Sequence, residues 1–170
     1  MGRIDIQYFG SSFGELLLGS IQDQLCLCDW RYRKARKHVD MRIQKALNAT
    51  FCEKDNDILR ETRKQLNEYF SHQRRSFDLP LHMVGTPFQQ RVWNRLLDIP
   101  FGRTSSYLQV AEAIGDPNAV RAVASANGAN AISIIVPCHR VIGSKGSLVG
   151  YAGGLQAKAD LLSLEFDLFG

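Results

Sequence analysis

The sequence predicts an α+β fold in two domains: a small antiparallel sheet with a helix in residues 1–80, and a mostly helical domain with a helix-turn-helix in residues 81–170. Three observations support this division. Two short apolar segments separated by turn residues lie near the start of the chain. After residue 80 the apolar spacing becomes that of helices, and two short helices are joined by a turn that contains glycine.

The composition is that of an ordinary globular protein. Of the 170 residues, 45% are hydrophobic and 22% are charged, so the chain can bury a core without disulfides. The net charge of +4 permits an anionic partner without requiring one. No apolar stretch is long enough for a membrane span or a signal peptide. We therefore expect no membrane association and a reducing intracellular location, cytoplasmic or, in a eukaryote, nuclear.

Residues 13–19 and 24–30 are the predicted strands of the first domain. They are short and apolar, and turn residues separate them, as in a hairpin or meander. Cys26 and Cys28 would share one face of the second strand, and we interpret both as core residues. A metal site that joins them to Cys52 or to a histidine is the alternative, although nothing else in the chain has the spacing of metal ligands.

A run of basic residues follows the second strand. Residues 31–42 hold six of the 21 Lys and Arg side chains, and the positive surplus is concentrated in the first domain. A solvated loop or helix face is the favoured interpretation of this run. A patch that faces phosphate groups is the alternative.

A helix and an extended segment complete the first domain. Pro80 excludes the helical conformation from the residue before it, so we place the domain boundary near residue 80. In residues 56–70 the apolar side chains fall near one stripe, as in an amphipathic helix. They are Ile58, Leu59, Leu66, Tyr69 and Phe70.

Capping residues define the first helices of the second domain. Thr86 and Pro87 predict the start of a helix, because the first is a good cap and the second suits the first helical position. Thr104 or Ser105 is the predicted cap of a second helix.

The second helix and a third form the predicted helix-turn-helix. Gly115 ends the first of the pair, and Asn118 caps the other, which covers residues 119–126. Apart from Arg121, the side chains of this last helix are small, which is typical of tight helix packing. Arg121 lies in the first turn, where free N–H groups favour phosphate, so the helix also fits the recognition helix of a DNA-binding motif.

A cysteine and a histidine follow the apolar run of residues 131–136. We expect this run to be a stiff extended segment that delivers Cys138 to residues 143–154, which hold five of the 14 glycines. Because glycines allow close approach of a ligand, Cys138 fits a nucleophile as well as a core residue. Neighbouring side chains diverge on an extended chain, so His139 would reach the thiol through a water molecule or a sharp turn.

Glu165 is the candidate to orient His139. It lies on the edge of the predicted buried stripe of the C-terminal helix. Turned inward, its carboxylate would hold the imidazole in the tautomer that accepts a thiol proton. The stripe consists of Leu155, Ala159, Leu162 and Phe166.

A series of motifs runs in order through residues 77–170. They are Tyr107, Arg121-Ala122-Val123, Asn130, Pro137-Cys138-His139-Arg140-Val141, Gly150-Tyr151-Ala152-Gly153-Gly154-Leu155 and Glu165. In order and register this series resembles the motifs of the O6-alkylguanine-DNA alkyltransferases. In residues 1–76 the likeness is looser, mainly the strand-strand-helix order and a DWR-like segment that ends the second strand. The resemblance implies a ribonuclease-H-like first domain and a winged-helix-like second domain.

The resemblance implies a DNA repair protein that acts once. Family members flip the damaged nucleotide out of the duplex and transfer its alkyl group irreversibly to a cysteine, here Cys138. His139 would act as the base through a water molecule, and Glu165 would polarise His139. Asn130 would brace the turn around the site.

The resemblance also assigns the DNA-binding and pocket residues. Tyr107 would help to rotate the target phosphate and donate a proton to N3 of guanine, and Arg121 would fill the gap in the base stack. The partner would be double-stranded DNA that carries O6-alkylguanine, with O4-alkylthymine as a further candidate lesion. We expect a monomer without cofactor or metal, and leave cooperativity on DNA open. Ala122, Ser125 and Asn118 would complete the DNA-binding set, and Val141, Tyr151, Ala152 and Gly153 would line the substrate pocket.

Gly150 and Ala152 depart from the family pattern, because larger residues are frequent there, and both imply a wider or softer pocket wall. The zinc site of some members is not clearly reproduced, since His82 is near a matching place but the N-terminal cysteines are only two positions apart. Two other functions stay open. One is a lesion-binding module in which Cys138 is inert, and the other is a Cys-His hydrolase with an acyl intermediate.

Overall fold

The first part of the chain forms a four-stranded sheet with two helices in the computed structural model, which describes residues 1–166. The strand order is β3-β2-β1-β4, with antiparallel pairing except between β1 and β4, which are parallel. The elements are β1 (Gly2–Ser11), β2 (Gly14–Ile21), β3 (Gln24–Trp30), α1 (Arg36–Leu47), β4 (Ala49–Glu53) and α2 (Asp57–Phe70).

The predicted small sheet with a helix is confirmed, with one correction: the sheet is mixed rather than antiparallel. The sequence predicts β2, β3 and α2 but not β1, α1 and β4. A parallel strand needs a crossover connection, and α1 supplies it between β3 and β4. The sequence of α1 shows little apolar periodicity, because the helix buries only Val39 and Ile43.

A β-bulge in β3 overturns the prediction that Cys26 and Cys28 share one face. Ser20 pairs with Leu25 and Gly19 with Leu27, so Cys26 is the extra residue of the pair. Cys26 therefore packs into a small core with Ile4, and Cys28 packs into the main core. Both thiols are buried, as predicted, and burial raises the pKa of Cys26 to about 12.

The second part of the chain is mostly helical, as predicted. Two very short strands, β5 (Ser105–Ser106) and β6 (Val141–Ile142), pair in parallel and tie the helix-turn-helix to the segment that follows Cys138. The helices are α3 (Pro87–Leu96), α4 (Tyr107–Ala113), α5 (Val120–Gly128) and α6 (Leu155–Phe166).

Two of the predicted helix caps are wrong and one is confirmed. Thr86 caps α3, in a capping box with Gln89. The cap of α4 is Ser106, since Gln109 lies three residues later and bonds back to it. Asn118 does not cap α5, because the chain makes a turn over residues 116–119 and the helix begins only at Val120, without a side-chain cap.

The buried stripe predicted for α6 is wrong at its two ends, although Leu162 is buried as predicted. Leu155 and Phe166 are 50% and 42% exposed, whereas Lys158 and Glu165 are fully buried. The buried face is thus rotated toward two charged residues, which apolar periodicity alone does not identify. It comprises Ala157, Lys158, Leu161, Leu162, Leu164 and Glu165.

The two parts of the chain share the main core. Leu18 and Leu66 lie in the same cluster as Trp93 and Leu164. The connection between the two parts runs along the free edge of β3, where Leu25 bonds to the backbone at residues 80 and 82. Within residues 1–166, no helix combines the length and the hydropathy that a membrane span requires.

Candidate active site

Cys138 lies in a sharp turn, which was one of the two predicted ways to bring it near His139. Residues 138–140 form a single turn of 3-10 helix. The preceding apolar run is not the predicted extended segment but a series of turns, with Ile134 at a φ of 72°. The backbone of Cys28 holds this run by bonds of 2.9 Å to Ala131 and 2.6 Å to Ser133.

Asn130 closes the loop that leads to the cysteine. Its amide nitrogen donates to the Val136 carbonyl at 2.9 Å, and its oxygen accepts from the Ile132 amide at 2.9 Å. Asn127 reaches the carbonyl of Cys138 itself, at 3.4 Å. Two side chains from the end of α5 therefore fix the backbone around the thiol.

His139 and Glu165 form a buried pair, the contact predicted for them. The two side chains are fully buried, and His139 Nε2 lies 2.6 Å from Glu165 Oε2. The other ring nitrogen, Nδ1, is also buried and bonds to no atom of the described residues. This nitrogen is the position from which the imidazole can accept a proton.

Glu165 has more partners than the sequence predicts. Arg140 donates to both of its oxygens, at 2.8 and 3.1 Å, and Tyr69 donates to Oε2 at 2.6 Å. Burial alone would raise the pKa of this carboxyl group, but bonds and charges from His139 and Arg140 outweigh it and lower the pKa to about 2. Glu165 is therefore a permanent anion at neutral pH.

The environment of Cys138 keeps its thiol protonated at rest. The side chain is 3% exposed, and burial raises its pKa to about 11, against an opposing bond from Asn130 and the charge of Lys158. A nucleophilic thiolate can then form only if a base takes the proton during the reaction. His139 is the adjacent group that can do so.

Lys158 is a site residue that sequence reasoning misses. It is fully buried, and its ammonium group donates to the carbonyls of Val141 at 2.6 Å, Val149 at 2.9 Å and Gly150 at 3.4 Å. These bonds tie Val141, the first residue of β6, and the middle of the glycine-rich loop (residues 143–154) to α6. A lysine on a helix gives no sign of burial in the sequence, because its partners are backbone carbonyls.

Cys138 opens on a cavity of about 640 Å³ between the two parts of the chain. The predicted residues Tyr107, Tyr151, Ala152 and Gly153 line it. Val141, also predicted there, is not among the lining residues, because its side chain is buried in the main core. The first part of the chain supplies residues that the sequence does not predict for the pocket, notably Phe13, Trp30, Tyr32 and Lys34.

The outer face of α5 is exposed beside this cavity. Arg121, Ala122 and Ser125 are exposed on it, and Asn118 is exposed in the turn before it. The opposite face buries Val123, Ala126 and Asn127, so the small side chains serve helix packing on one side only. Ala124, Asn127 and Gly128 also line the cavity, which makes the helix-turn-helix and the pocket contiguous.

The favoured interpretation of the basic run of residues 31–42, a solvated face, is wrong for three of its arginines. Arg33 and Arg36 bind the buried carboxylate of Asp29 at 3.0 and 3.1 Å. Arg33 also donates to the carbonyl of Gly128, and Arg42 to that of Ala129, both at 2.9 Å. Arg33 and Arg42 therefore hold the end of α5, where carbonyls lack partners within the helix. The alternative, a patch that faces phosphate groups, stays a prediction.

Comparisons with known proteins agree with this architecture. The ribonuclease-like domain of 6-O-methylguanine DNA methyltransferase matches residues 6–83, and the DNA binding domain of the same family matches residues 87–166. A methylated-DNA–protein-cysteine methyltransferase of Methanosarcina acetivorans is 43% identical over 157 residues, or 92% of this chain and 95% of that protein. The chain belongs to the 6-O-methylguanine DNA methyltransferase family.

Solved structures of the family have the same fold. The O6-methylguanine methyltransferase of Mycobacterium tuberculosis superposes with a TM-score of 0.80 at 40% identity, over 96% of this chain and 93% of that one. The M. tuberculosis OGT in complex with DNA gives a TM-score of 0.81, over 97% and 93% of the two chains. The predicted fold class and family are thus confirmed.

A second sequence match, of higher identity, is confined to part of the chain. The M. tuberculosis methyltransferase is 57% identical over 101 residues, which span 59% of this chain and 61% of the relative.

The domain boundary near residue 80 stays a prediction. Among the described residues, no group of three or more His, Cys, Asp or Glu side chains is placed to hold a metal ion.

Proposed function

We propose that this protein repairs O6-alkylguanine in double-stranded DNA by transferring the alkyl group to Cys138. One observation carries the proposal: a buried thiol lies at a cavity next to a histidine that a buried carboxylate holds, and an exposed helix-turn-helix borders the same cavity. The relatives' names, which specify methyl transfer from DNA to a protein cysteine, support it.

His139 would act as the base that activates the thiol. The Cys138 proton passes through a water molecule to Nδ1 of His139, while Nε2 keeps its bond to Glu165. The sulfur then attacks the alkyl carbon in line with the C–O6 bond, so a C–S bond forms as the C–O bond breaks. The developing positive charge on the imidazole is stabilised by the carboxylate.

Tyr107 would stabilise the leaving guanine. Its side chain lines the cavity with Cys138, and burial raises the pKa of its hydroxyl group, so it stays a proton donor. As the electron pair of the broken bond moves onto the base, Tyr107 donates a proton to N3, and neutral guanine leaves. The product on the protein is a thioether, which has no hydrolysable acyl bond, so each molecule reacts once.

The exposed face of α5 would bind the duplex. Arg121 lies in the first turn of this helix and is the long cation that can occupy the gap left by a flipped nucleotide. Ala122, Ser125 and Asn118 would contact the backbone around it. The protein would act as a monomer on alkylated DNA, in the cytoplasm or, in a eukaryote, in the nucleus. O4-alkylthymine would be a second substrate.

Mass spectrometry of the protein after incubation with a duplex that carries one O6-methylguanine tests the proposal. We expect a gain of one methyl group, located on the peptide that holds Cys138, and at most one equivalent transferred per protein. A Cys138→Ser variant should bind the duplex but gain no mass. Repeated turnover would favour a hydrolase, binding without any mass change would favour a lesion-binding module, and either result would refute alkyl transfer.

A further inference from the structure

We propose that Trp30, a residue of the first part of the chain, is a specificity-determining residue of the reaction cavity. It would form the inner wall that contacts large, planar O6 substituents and positions the glycine-rich loop against them. The inference rests on the proposed alkyl transfer. The family resemblance places the site residues within residues 77–170, whereas Trp30 lies outside this range.

The Trp30 indole is enclosed between two glycines, Gly14 at the start of β2 and Gly153 in the glycine-rich loop. A Cβ atom on Gly153 would lie 2.6 Å from indole Cε2 and 2.8 Å from Nε1, and one on Gly14 would lie 2.9 Å from Cζ3. Real Cβ atoms do not approach so closely, so both segments can pack on the ring only because these positions are glycine. Gly153 of the glycine-rich loop therefore packs directly on the indole ring.

Trp30 and Tyr151 form a joint aromatic wall. Their rings meet edge to face, with centroids 5.9 Å apart and planes at 72°. Both residues line the same cavity as Cys138. Trp30 is 4% exposed, so the wall is formed by a rigid side chain at the end of β3 rather than by a mobile surface group.

Two buried polar atoms of this wall interact with each other. They are indole Nε1 of Trp30 and the hydroxyl oxygen of Tyr151. Burial raises the pKa of the Tyr151 hydroxyl group, and the Trp30 N–H opposes this effect. The contact falls short of a full hydrogen bond, so both atoms keep hydrogen-bonding capacity toward a molecule that enters the cavity.

The cavity volume of about 640 Å³ lies within the range of pockets that hold drug-sized ligands, roughly 300–1,000 Å³. A methyl group at Cys138 need not reach the aromatic wall, whereas a benzyl group extends toward it. The wall should therefore affect large substituents selectively. This distinguishes a specificity role from a general effect on folding.

Reaction rates with two free nucleobases, O6-methylguanine and O6-benzylguanine, test the proposal without the contribution of DNA binding. We expect Trp30→Leu to slow the benzyl reaction about fivefold or more, while the methyl reaction changes less than about twofold. Trp93→Phe is the matched control, because Trp93 is buried in the core and bonds to Ala126 away from the cavity lining. It should leave the ratio of the two rates unchanged.

Gly153→Ala supplies a second measurement, which does not depend on how well the Trp30 variant folds. A methyl group at this position collides with the indole and displaces the loop, so the benzyl rate should fall sharply. In the Trp30→Leu background the collision is relieved, and the same substitution should then have a smaller effect.

Two results would overturn the inference: equal effects of Trp30→Leu on both nucleobases, or an equal effect of Gly153→Ala in both backgrounds. Either would leave alkyl transfer intact, since the unsubstituted protein still reacts. Failure of the unsubstituted protein to gain methyl mass from the duplex would instead refute the proposed function, which separates the two outcomes.

Discussion

Tyr69 and His139 share one oxygen atom of Glu165. The tyrosine hydroxyl and the imidazole Nε2 each lie 2.6 Å from Oε2, and all three side chains are fully buried. Tyr69 belongs to α2, in the first part of the chain, whereas the other two residues belong to the second. The first part of the chain therefore contributes directly to the electrostatics of the candidate active site.

Tyr69→Phe should shift the pH dependence of alkyl transfer upward. Burial lowers the pKa of His139, and Glu165 opposes this effect, with Arg140 and Lys158 as the other charges that face the ring. Loss of the tyrosine bond leaves more negative charge on Oε2 for the imidazole, so the pKa of His139 rises. Because the base must be neutral to accept the thiol proton, the acid limb of the rate profile moves to higher pH.

The pH profile of the transfer rate distinguishes this effect from simple destabilisation. Loss of a hydrogen bond to a charged group should also lower the free energy of unfolding by about 2 kcal/mol. Tyr8→Phe, on β1, is the control and should leave the profile in place. A Tyr69→Phe protein with lower stability but an unshifted acid limb would contradict the prediction.

Glu165→Gln should destabilise the protein at neutral pH by at least about 3 kcal/mol, because the Arg140 guanidinium stays buried without an anion. The folded-state pKa of Glu165 is about 2 against an ordinary 4.5, so its charge stabilises the fold above about pH 4.5. That stabilisation is lost as the pH falls toward 2 and amounts to about 3 kcal/mol.

Urea unfolding of both proteins at several pH values checks this linkage. The difference in unfolding free energy between the unsubstituted protein and Glu165→Gln should shrink as the pH falls from about 5 to 2. A difference that stays constant over this range would show that the carboxylate is not held ionised by its neighbours.

The sequence predicts the helix-turn-helix and the Glu165–His139 contact, because apolar spacing, turn residues and motif order are local signals. It does not predict Lys158 or Tyr69 as site residues, because a buried lysine that binds carbonyls and a buried tyrosine that binds a carboxylate have no sequence signature. The sequence does not predict Trp30 as a cavity residue either, because its position there depends on contacts with Gly14 and Gly153, which lie elsewhere in the chain.

The basic run of residues 31–42 is a second feature that the sequence alone could not interpret correctly. Charge density along the chain cannot distinguish a solvated arginine from one that binds a buried carboxylate, since tertiary packing decides whether the carboxylate is buried. Asp29 looks like an ordinary polar residue at the end of a strand, yet it is fully buried and accepts bonds from Arg33, Arg36 and Ser133.

Asp29→Ala should lower the unfolding free energy by about 3 kcal/mol, because it leaves two partly buried guanidinium groups without their anion. Asp40→Ala is the matched control. Asp40 pairs with Arg36 at 2.7 Å and is 21% exposed, and Arg36 keeps Asp29 when Asp40 is lost, so this substitution should have an effect of about 1 kcal/mol or less. Chemical unfolding measures both, and similar losses for the two variants would contradict a structural role for Asp29.

Arg121→Ala should weaken repair of duplex DNA at least about tenfold while leaving reaction with free O6-alkylguanine unchanged. The side chain is exposed on α5, so its loss should not affect the buried thiol. Arg60→Ala, on the exposed face of α2, is the control for the loss of one positive charge. Rates measured with both substrates test the prediction, and equal losses on duplex and free base would exclude a flipping role for Arg121.

Lys158→Met should loosen the glycine-rich loop, because one backbone carbonyl before it and two within it lose their shared donor. Methionine retains the apolar stem of lysine, so the main core should stay packed. Lys145 is exposed within the loop and provides a natural reporter. Trypsin should cut after Lys145 several times faster in the variant, and alkyl transfer should slow, since residues 150–154 line the cavity. Lys45→Met, at the end of α1, should change neither rate, and unchanged cleavage in Lys158→Met would mean that the loop is held by other contacts.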